Sequence, residues 1–109
     1  MSVLFNIFPH KIFIVNENII EIDNTKKVIS NFKEKVDAFT NYKNFLFLLN
    51  FYVSKRKHPY NIGFIYQNGN KVSSELLCKF IHDIDPNIKT VVYKNEDELK
   101  YFANNMSLV

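Results

Sequence analysis

The sequence predicts one α/β domain in three layers, a parallel sheet with helices on both faces. Three observations predict it. Short runs rich in β-branched and aromatic residues alternate with longer segments whose apolar residues recur at helical spacing. The connections between them are a few residues long. The first run, Lys11 to Val15, is apolar without alternation, as in a strand buried on both sides. Such an alternation folds into a parallel sheet joined by right-handed crossovers. At 109 residues the chain is one domain, residues 1–109, long enough to bury roughly two-thirds of its unfolded surface without a metal or disulfide staple.

Taken in order, Lys11 to Val15 is a strand ended by Asn16, Glu17 and Asn18. Ile19, Ile22, Ile29 and Phe32 then recur at threes and sevens, which suits a helix against a sheet. Ile19 to Ile22 also suits the return strand of a hairpin, with a helix starting later behind Asp23 or Asn24. Lys35 to Thr40 is a second strand. From Tyr42 to Arg56 a helix capped by Asn41 places Phe45, Leu48, Leu49 and Tyr52 on one stripe and leaves Phe47 and Phe51 off it. Pro59 ends that element. Tyr60 to Gln67 is a third strand and Asn68, Gly69 and Asn70 a loop. Ser73 or Ser74 opens a third helix, with Leu76, Leu77, Phe80, Ile81 and Ile84 on its inner side, stopped at Asp85, Pro86 and Asn87. Ile88 to Tyr93 is a fourth strand. Asn95 to Asn104 is a fourth helix opened by Glu96, Asp97 and Glu98, acids that complement a helix N-terminus. Ser107 to Val109 is at most the stub of a fifth strand, and residues 1–10 form an apolar segment expected to pack on the core or on a partner.

Composition excludes several function classes. A net charge of +3, with 14 basic against 11 acidic residues, is far from a nucleic-acid footprint. The basic cluster Lys55, Arg56, Lys57 and His58 reads as the solvated end of a helix. No apolar run reaches the ~18 residues of a membrane span. The first residues lack the basic start and cleavage site of a secretory signal, so a cytoplasmic protein is expected. The single cysteine, Cys78, excludes an intrachain disulfide and reads as a small buried hydrophobe. His10, His58 and His82 have no ligand spacing among them, so no metal is expected. Acid pairs such as Asp83 and Asp85 read as helix-end decoration. With 11 Phe and 6 Tyr, some aromatic surface must stay exposed.

In parallel α/β sheets, ligands sit outside the carboxyl ends of the strands. The candidate positions are therefore Asn16 to Asn18, Asn41, Tyr66 to Asn70 and Tyr93 to Asn95. Four segments in order carry a resemblance: Lys-Ile-Phe-Ile-Val-Asn-Glu-Asn at 11–18, Val-Asp-Ala-Phe-Thr-Asn at 36–41, Tyr-Asn-Ile-Gly-Phe-Ile-Tyr at 60–66, and Asp-Pro-Asn-Ile-Lys-Thr-Val-Val-Tyr-Lys at 85–94. From Lys11 onward the chain resembles the receiver domain, the phosphorylatable module of two-component response regulators. The resemblance implies a flavodoxin-like (CheY-like) doubly wound parallel sheet, strand order 2-1-3-4 with a short or missing fifth strand.

The same resemblance implies a degenerate pocket, because its chemistry is missing position by position. Where a receiver has two acids after its first strand to hold magnesium, this chain has Asn16 and Glu17. The phosphoacceptor position at the end of the third strand falls on Tyr66, or on Gln67 if the register slips. The hydroxyl residue after the fourth strand is replaced by Lys94, or by Tyr93 under a slip. Glu17 alone cannot supply an octahedral magnesium site, and without metal and nucleophile phosphoryl transfer loses its electrostatic support. The expectation is a pseudo-receiver: no enzyme, no cofactor, no metal, and a signalling or scaffold role through a protein partner or a homodimer, with no nucleic acid and no membrane. Phe47 and Phe51, four apart on one face of the second helix, are the candidate interaction surface. Lys94 is expected to approach Glu17 across the strand ends, or else both point into solvent. Two other readings remain open: a small-molecule site lined by Tyr66, Tyr93 and neighbouring asparagines, and a domain resembling the anti-sigma-factor antagonists if residues 19–22 are extended.

Overall fold

The structure is a computed structural model and describes residues 10–30 and 35–105. Phe32, the segment Val3 to Phe8 and the stub Ser107 to Val109 lie outside the described residues. Strands β1 (His10–Val15), β2 (Lys35–Phe39), β3 (Ile62–Tyr66) and β4 (Lys89–Tyr93) alternate with helices α1 (Ile19–Val28), α2 (Tyr42–Ser54), α3 (Ser74–Ile84) and α4 (Glu96–Asn105). All strand pairs are parallel, and the sheet order is β2-β1-β3-β4. This is the order the resemblance implies.

The unbroken apolar run of β1 has its reason in this order: β1 is a central strand with a helical layer over each face. Ile12 and Ile14 point into a core shared with α1 and α4, where Ile22 and Leu99 meet Phe64 and Val91. Phe13 and Val15 point into a second core shared with α2 and α3, through Phe45, Leu49, Leu77 and Ile81. Each helix starts on a polar side chain that takes up an otherwise unpaired N–H. The Oδ1 of Asn18 accepts from Ile20 at 2.9 Å and that of Asn41 from Lys43 at 2.9 Å. Ser73 Oγ accepts from Leu76 at 3.1 Å and Asn95 Oδ1 from Glu98 at 2.8 Å.

Residues 19–22 are helical. That removes the hairpin reading of this segment and, with it, the likeness to the anti-sigma-factor antagonists that depended on it. Two helix faces differ from the expected ones. On α2 the stripe against the sheet is Tyr42, Phe45, Leu46, Leu49 and Val53, so Leu48 and Tyr52 are rotated to its margin. Both stripes are apolar at helical spacing, and the period alone does not choose between them. On α3, Leu76 is 42% exposed while Leu77 and Ile81 are buried, because the buried Ser74 at the helix start sets the inner face one residue away.

A close fit in the core lies between the two central strands. Phe13 is paired in register with Gly63, and its ring lies over that glycine, stacked on Phe45 with centroids 4.4 Å apart and edge-on to Tyr60 at 5.2 Å. A Cβ on residue 63 would overlap the Phe13 ring. The ring cannot retreat, being held by Phe45 on its far side. Gly63→Ala is therefore expected to lower the unfolding free energy in urea by about 1–3 kcal/mol, the usual cost of overpacking a filled core.

Candidate functional site

The carboxyl ends of β1 and β3 meet in an open depression of about 820 Å³ floored by Asn16, Glu17, Tyr66 and the loop Asn68 to Lys71. Asn16 leaves β1 with its N–H on the Phe39 carbonyl at 3.0 Å, while its Oδ1 accepts from the Asn18 N–H at 2.8 Å. Its side chain is fully buried, and Gly69 lies against its amide. Glu17 donates its N–H to the Gly69 carbonyl at 2.7 Å, and its Oε2 accepts from the Lys71 N–H at 2.5 Å. Asn70 Nδ2 reaches back to the Val15 carbonyl at 3.2 Å. Four contacts thus stitch the β1–α1 connection to the β3–α3 loop. Among the described residues the Asn16 Nδ2 and the Asn70 Oδ1 are buried without a hydrogen-bond partner. Both residues line the depression.

Tyr66 is the wall between this depression and a second, narrower cleft of about 250 Å³, which Tyr93, Lys94, Thr25 and Glu21 also line. The Tyr66 and Tyr93 rings pack with centroids 5.5 Å apart. Tyr93 Oη lies 2.5 Å from Thr25 Oγ1, which itself donates to the Glu21 carbonyl at 2.8 Å. Threonine has a single hydroxyl proton, so Tyr93 must be the donor. Burial pushes the Tyr93 phenol above its ordinary value of 10, outweighing the opposite pull of the Thr25 hydroxyl, and the neighbouring Glu21 and Tyr66 add to the rise.

Sequence order thus brings Asn16, Glu17 and Tyr66 together, while Lys94 lies in the neighbouring cleft behind Tyr66. The expected approach of Lys94 to Glu17 does not occur. The Glu17 carboxylate is bound to the Lys71 backbone, and Tyr66 lines both the depression and the cleft that holds Lys94. Three hydrogen-bonded groups were not legible in the sequence because their partners are remote in it. They are Thr25 on Tyr93, Asp37 on the Tyr60 hydroxyl at 2.6 Å, and His58 Nδ1 on the buried Asp85 at 3.0 Å. The last two lie away from the depression. His58 and Asp85 tie the connections that precede β3 and β4.

The chain is similar to the signal receiver domain of an HD domain-containing protein from Pseudomonas fluorescens Pf-5, with a TM-score of 0.60 and 12% identity, covering 76% of this chain and 62% of that one. It is also similar to a response regulator receiver domain protein (CheY-like) from Methanospirillum hungatei JF-1, with a TM-score of 0.60 and 15% identity, covering 86% and 74%. The fold is that of a receiver domain. No family profile and no curated protein matches the sequence. The chain spans about three-fifths of the first of these relatives.

A receiver fold implies a magnesium site at the strand ends, and the residues here do not fit one. Magnesium asks for hard oxygen ligands around an octahedron. The first strand ends in the buried amide of Asn16, β3 ends in a phenol, and one Glu17 oxygen is already engaged. Among the described residues no three histidine, cysteine or acidic side chains gather where they could hold a metal ion.

The burial of the Tyr93 phenol behind the depression gives a pH dependence. A phenol whose folded-state pKa lies above 10 keeps its proton where the unfolded chain has lost it. Its contribution to stability is full below pH 10 and is lost as pH rises beyond that value through the folded pKa. Tyr93→Phe is expected to cost about 1 kcal/mol near neutral pH, since Thr25 keeps its bond to the Glu21 carbonyl, and to flatten part of the alkaline decline. Urea unfolding of both proteins across pH 7 to 11 checks this.

Proposed function

We propose that this receiver-fold domain is a non-catalytic signalling or scaffold module that works by binding protein, independently of phosphorylation. The observation that carries the proposal is Tyr66. It stands at the end of β3, where the resemblance places the phosphoacceptor, and its ring is packed on Tyr93. A phenol there cannot form an acyl phosphate. The strand-end loops support the same reading, since three hydrogen bonds tie them together: Glu17 holds Lys71 and Gly69, and Asn70 holds Val15. A site so bound has little to offer a metal or a transferring phosphoryl group. A small-molecule role has less support, because the depression is wide and open and its Asn16 floor is buried. Among the described residues no helix is long and apolar enough to cross a membrane, and we place the module in the cytoplasm.

What remains available for binding is surface. Phe47 is 77% exposed and Phe51 49% exposed, on the side of α2 turned away from Phe45 and Leu49. Phe51 is flanked by the Tyr52 ring at 5.7 Å and by the Lys55 ammonium at 5.7 Å from its centroid. Covering such side chains gains roughly 1.5–3 kcal/mol each, and a homodimer through this face is the association we favour.

Two measurements test the reading. Incubation with magnesium and acetyl phosphate, followed by intact-mass analysis, is expected to leave the mass unchanged; the added mass of one phosphate at the strand-end site overturns the proposal. Replacing Phe47 and Phe51 together by Glu is expected to convert the dimer to a folded monomer in sedimentation. An unchanged solution mass and melting temperature remove this face as the interface.

A further inference from the structure

The narrower cleft behind Tyr66 differs from the open depression: it is less exposed, and it holds charged groups that have no partner. It lies at the carboxyl ends of β3 and β4, between α1 and the start of α4, with a volume of about 250 Å³. The four strand-to-helix connections on this side of the sheet, residues 16–18, 40–41, 67–73 and 94–95, are all among the described residues. Val28, Leu99 and the packed rings of Tyr66 and Tyr93 give the cleft an apolar lining. Two opposite charges stand beside it. Glu21 of α1 is half-buried, and its carboxylate lies near enough to Tyr93 to help raise that phenol. Lys94 stands exposed at the end of β4. Among the described residues neither side chain is in an ion pair or a hydrogen bond. Glu96, the other acid of the lining, is paired with Lys100 at 3.8 Å. The Tyr66 hydroxyl is also without a hydrogen-bond partner among the described residues.

We propose that this cleft binds a free α-amino acid with an apolar side chain, as a ligand of the domain and not as a substrate. Charge and size select it. An amine alone would bring a like charge to Lys94, and an acid alone would bring one to Glu21. A molecule that carries an ammonium and a carboxylate a few bonds apart matches both, and the Tyr66 hydroxyl offers the carboxylate a further donor. The apolar side chain would leave water for the tyrosine rings, Val28 and Leu99, while an ammonium beside the rings gains a cation–π attraction. The volume lies below the roughly 300–1,000 Å³ of sites for drug-sized ligands, which suits an amino acid and excludes a nucleotide. Because α1 and α4 both frame the cleft, occupancy would tie the two helices together on one face of the sheet. The inference goes beyond the protein-binding reading by giving the module an input other than phosphorylation. The two fail separately: phosphate at the strand-end site overturns that reading without touching this cleft, and an empty cleft leaves that reading standing.

The probes are L-valine, L-leucine, L-isoleucine, L-methionine and L-phenylalanine, each titrated into the whole chain by calorimetry with the nitrogen–proton NMR spectrum recorded alongside. At least one is expected to bind saturably, with shifts centred on Thr25, Tyr66, Tyr93 and Lys94. For that amino acid, the decarboxylated amine and the deaminated acid are each expected to bind at least tenfold more weakly. Glu21→Gln and Lys94→Gln each remove one charge, and each is expected to weaken binding at least tenfold with the circular dichroism spectrum unchanged. Should either variant not fold, the matching analogue tests the same contact on the unmodified chain. The proposal is overturned by absence of saturable binding for all five, by shifts centred elsewhere, or by unchanged affinity in both variants. Equal binding of the decarboxylated amine also overturns it, since the cleft then takes cations alone.

Discussion

The whole arrangement turns on one ring laid across one glycine. Phe13 of β1 covers Gly63 of β3, its partner in register, and is clamped from above by Phe45 of α2. Because residue 63 has no side chain, β1 and β3 share a single aromatic between them, and α2 can settle deep enough to stack on it. That contact sets the depth of the α2 and α3 layer over the sheet and the side of α2 that faces in. With Phe45 and Leu49 turned to the core, Phe47 and Phe51 are left outside. The exposed pair is thus a consequence of the core and not an accident of composition.

The same register fixes the strand ends. With Phe13 opposite Gly63, Val15 stands opposite Ile65, so Asn16 and Tyr66 emerge side by side at the carboxyl edge. In a phosphorylatable receiver those positions concentrate negative charge around a metal; here they hold an amide and a phenol. Glu17 has been turned to structure, its carboxylate closing on the Lys71 N–H, while Lys94 lies in the neighbouring cleft. On the function proposed above, a pocket tied up in this way leaves the domain to act through its surface.

Most of the fold was legible in the sequence, because its strands and helices differ in period and each helix starts on a capping side chain. Asn41 marks the second helix start in the sequence, whereas the pattern leaves the first open between Ile19 and a start behind Asp23 or Asn24 and the third between Ser73 and Ser74; the observed caps are Asn18 and Ser73. Helix rotation was less legible. On α2 two adjacent stripes are both apolar, and only the stacking of Phe45 on Phe13 decides between them. Pairings such as Thr25 with Tyr93 or His58 with Asp85 could not be read, since they join side chains 68 and 27 residues apart and no local pattern encodes them. The residues of the strand-end site were found from sequence because topology brings them together. Its internal hydrogen bonds were not, since they join groups 54 and 55 residues apart.

The central claim is that the strand-end site is structural and no longer accepts a phosphoryl group. Its most direct test is the two-dimensional nitrogen–proton NMR spectrum of the labelled chain, recorded before and after addition of magnesium and beryllofluoride, which mimics a phosphoryl group bound to a carboxylate. The account predicts that the amide signals of Asn16, Glu17, Tyr66 and Lys94 stay in place at saturating additive. Shifts that saturate and centre on those four residues would contradict it.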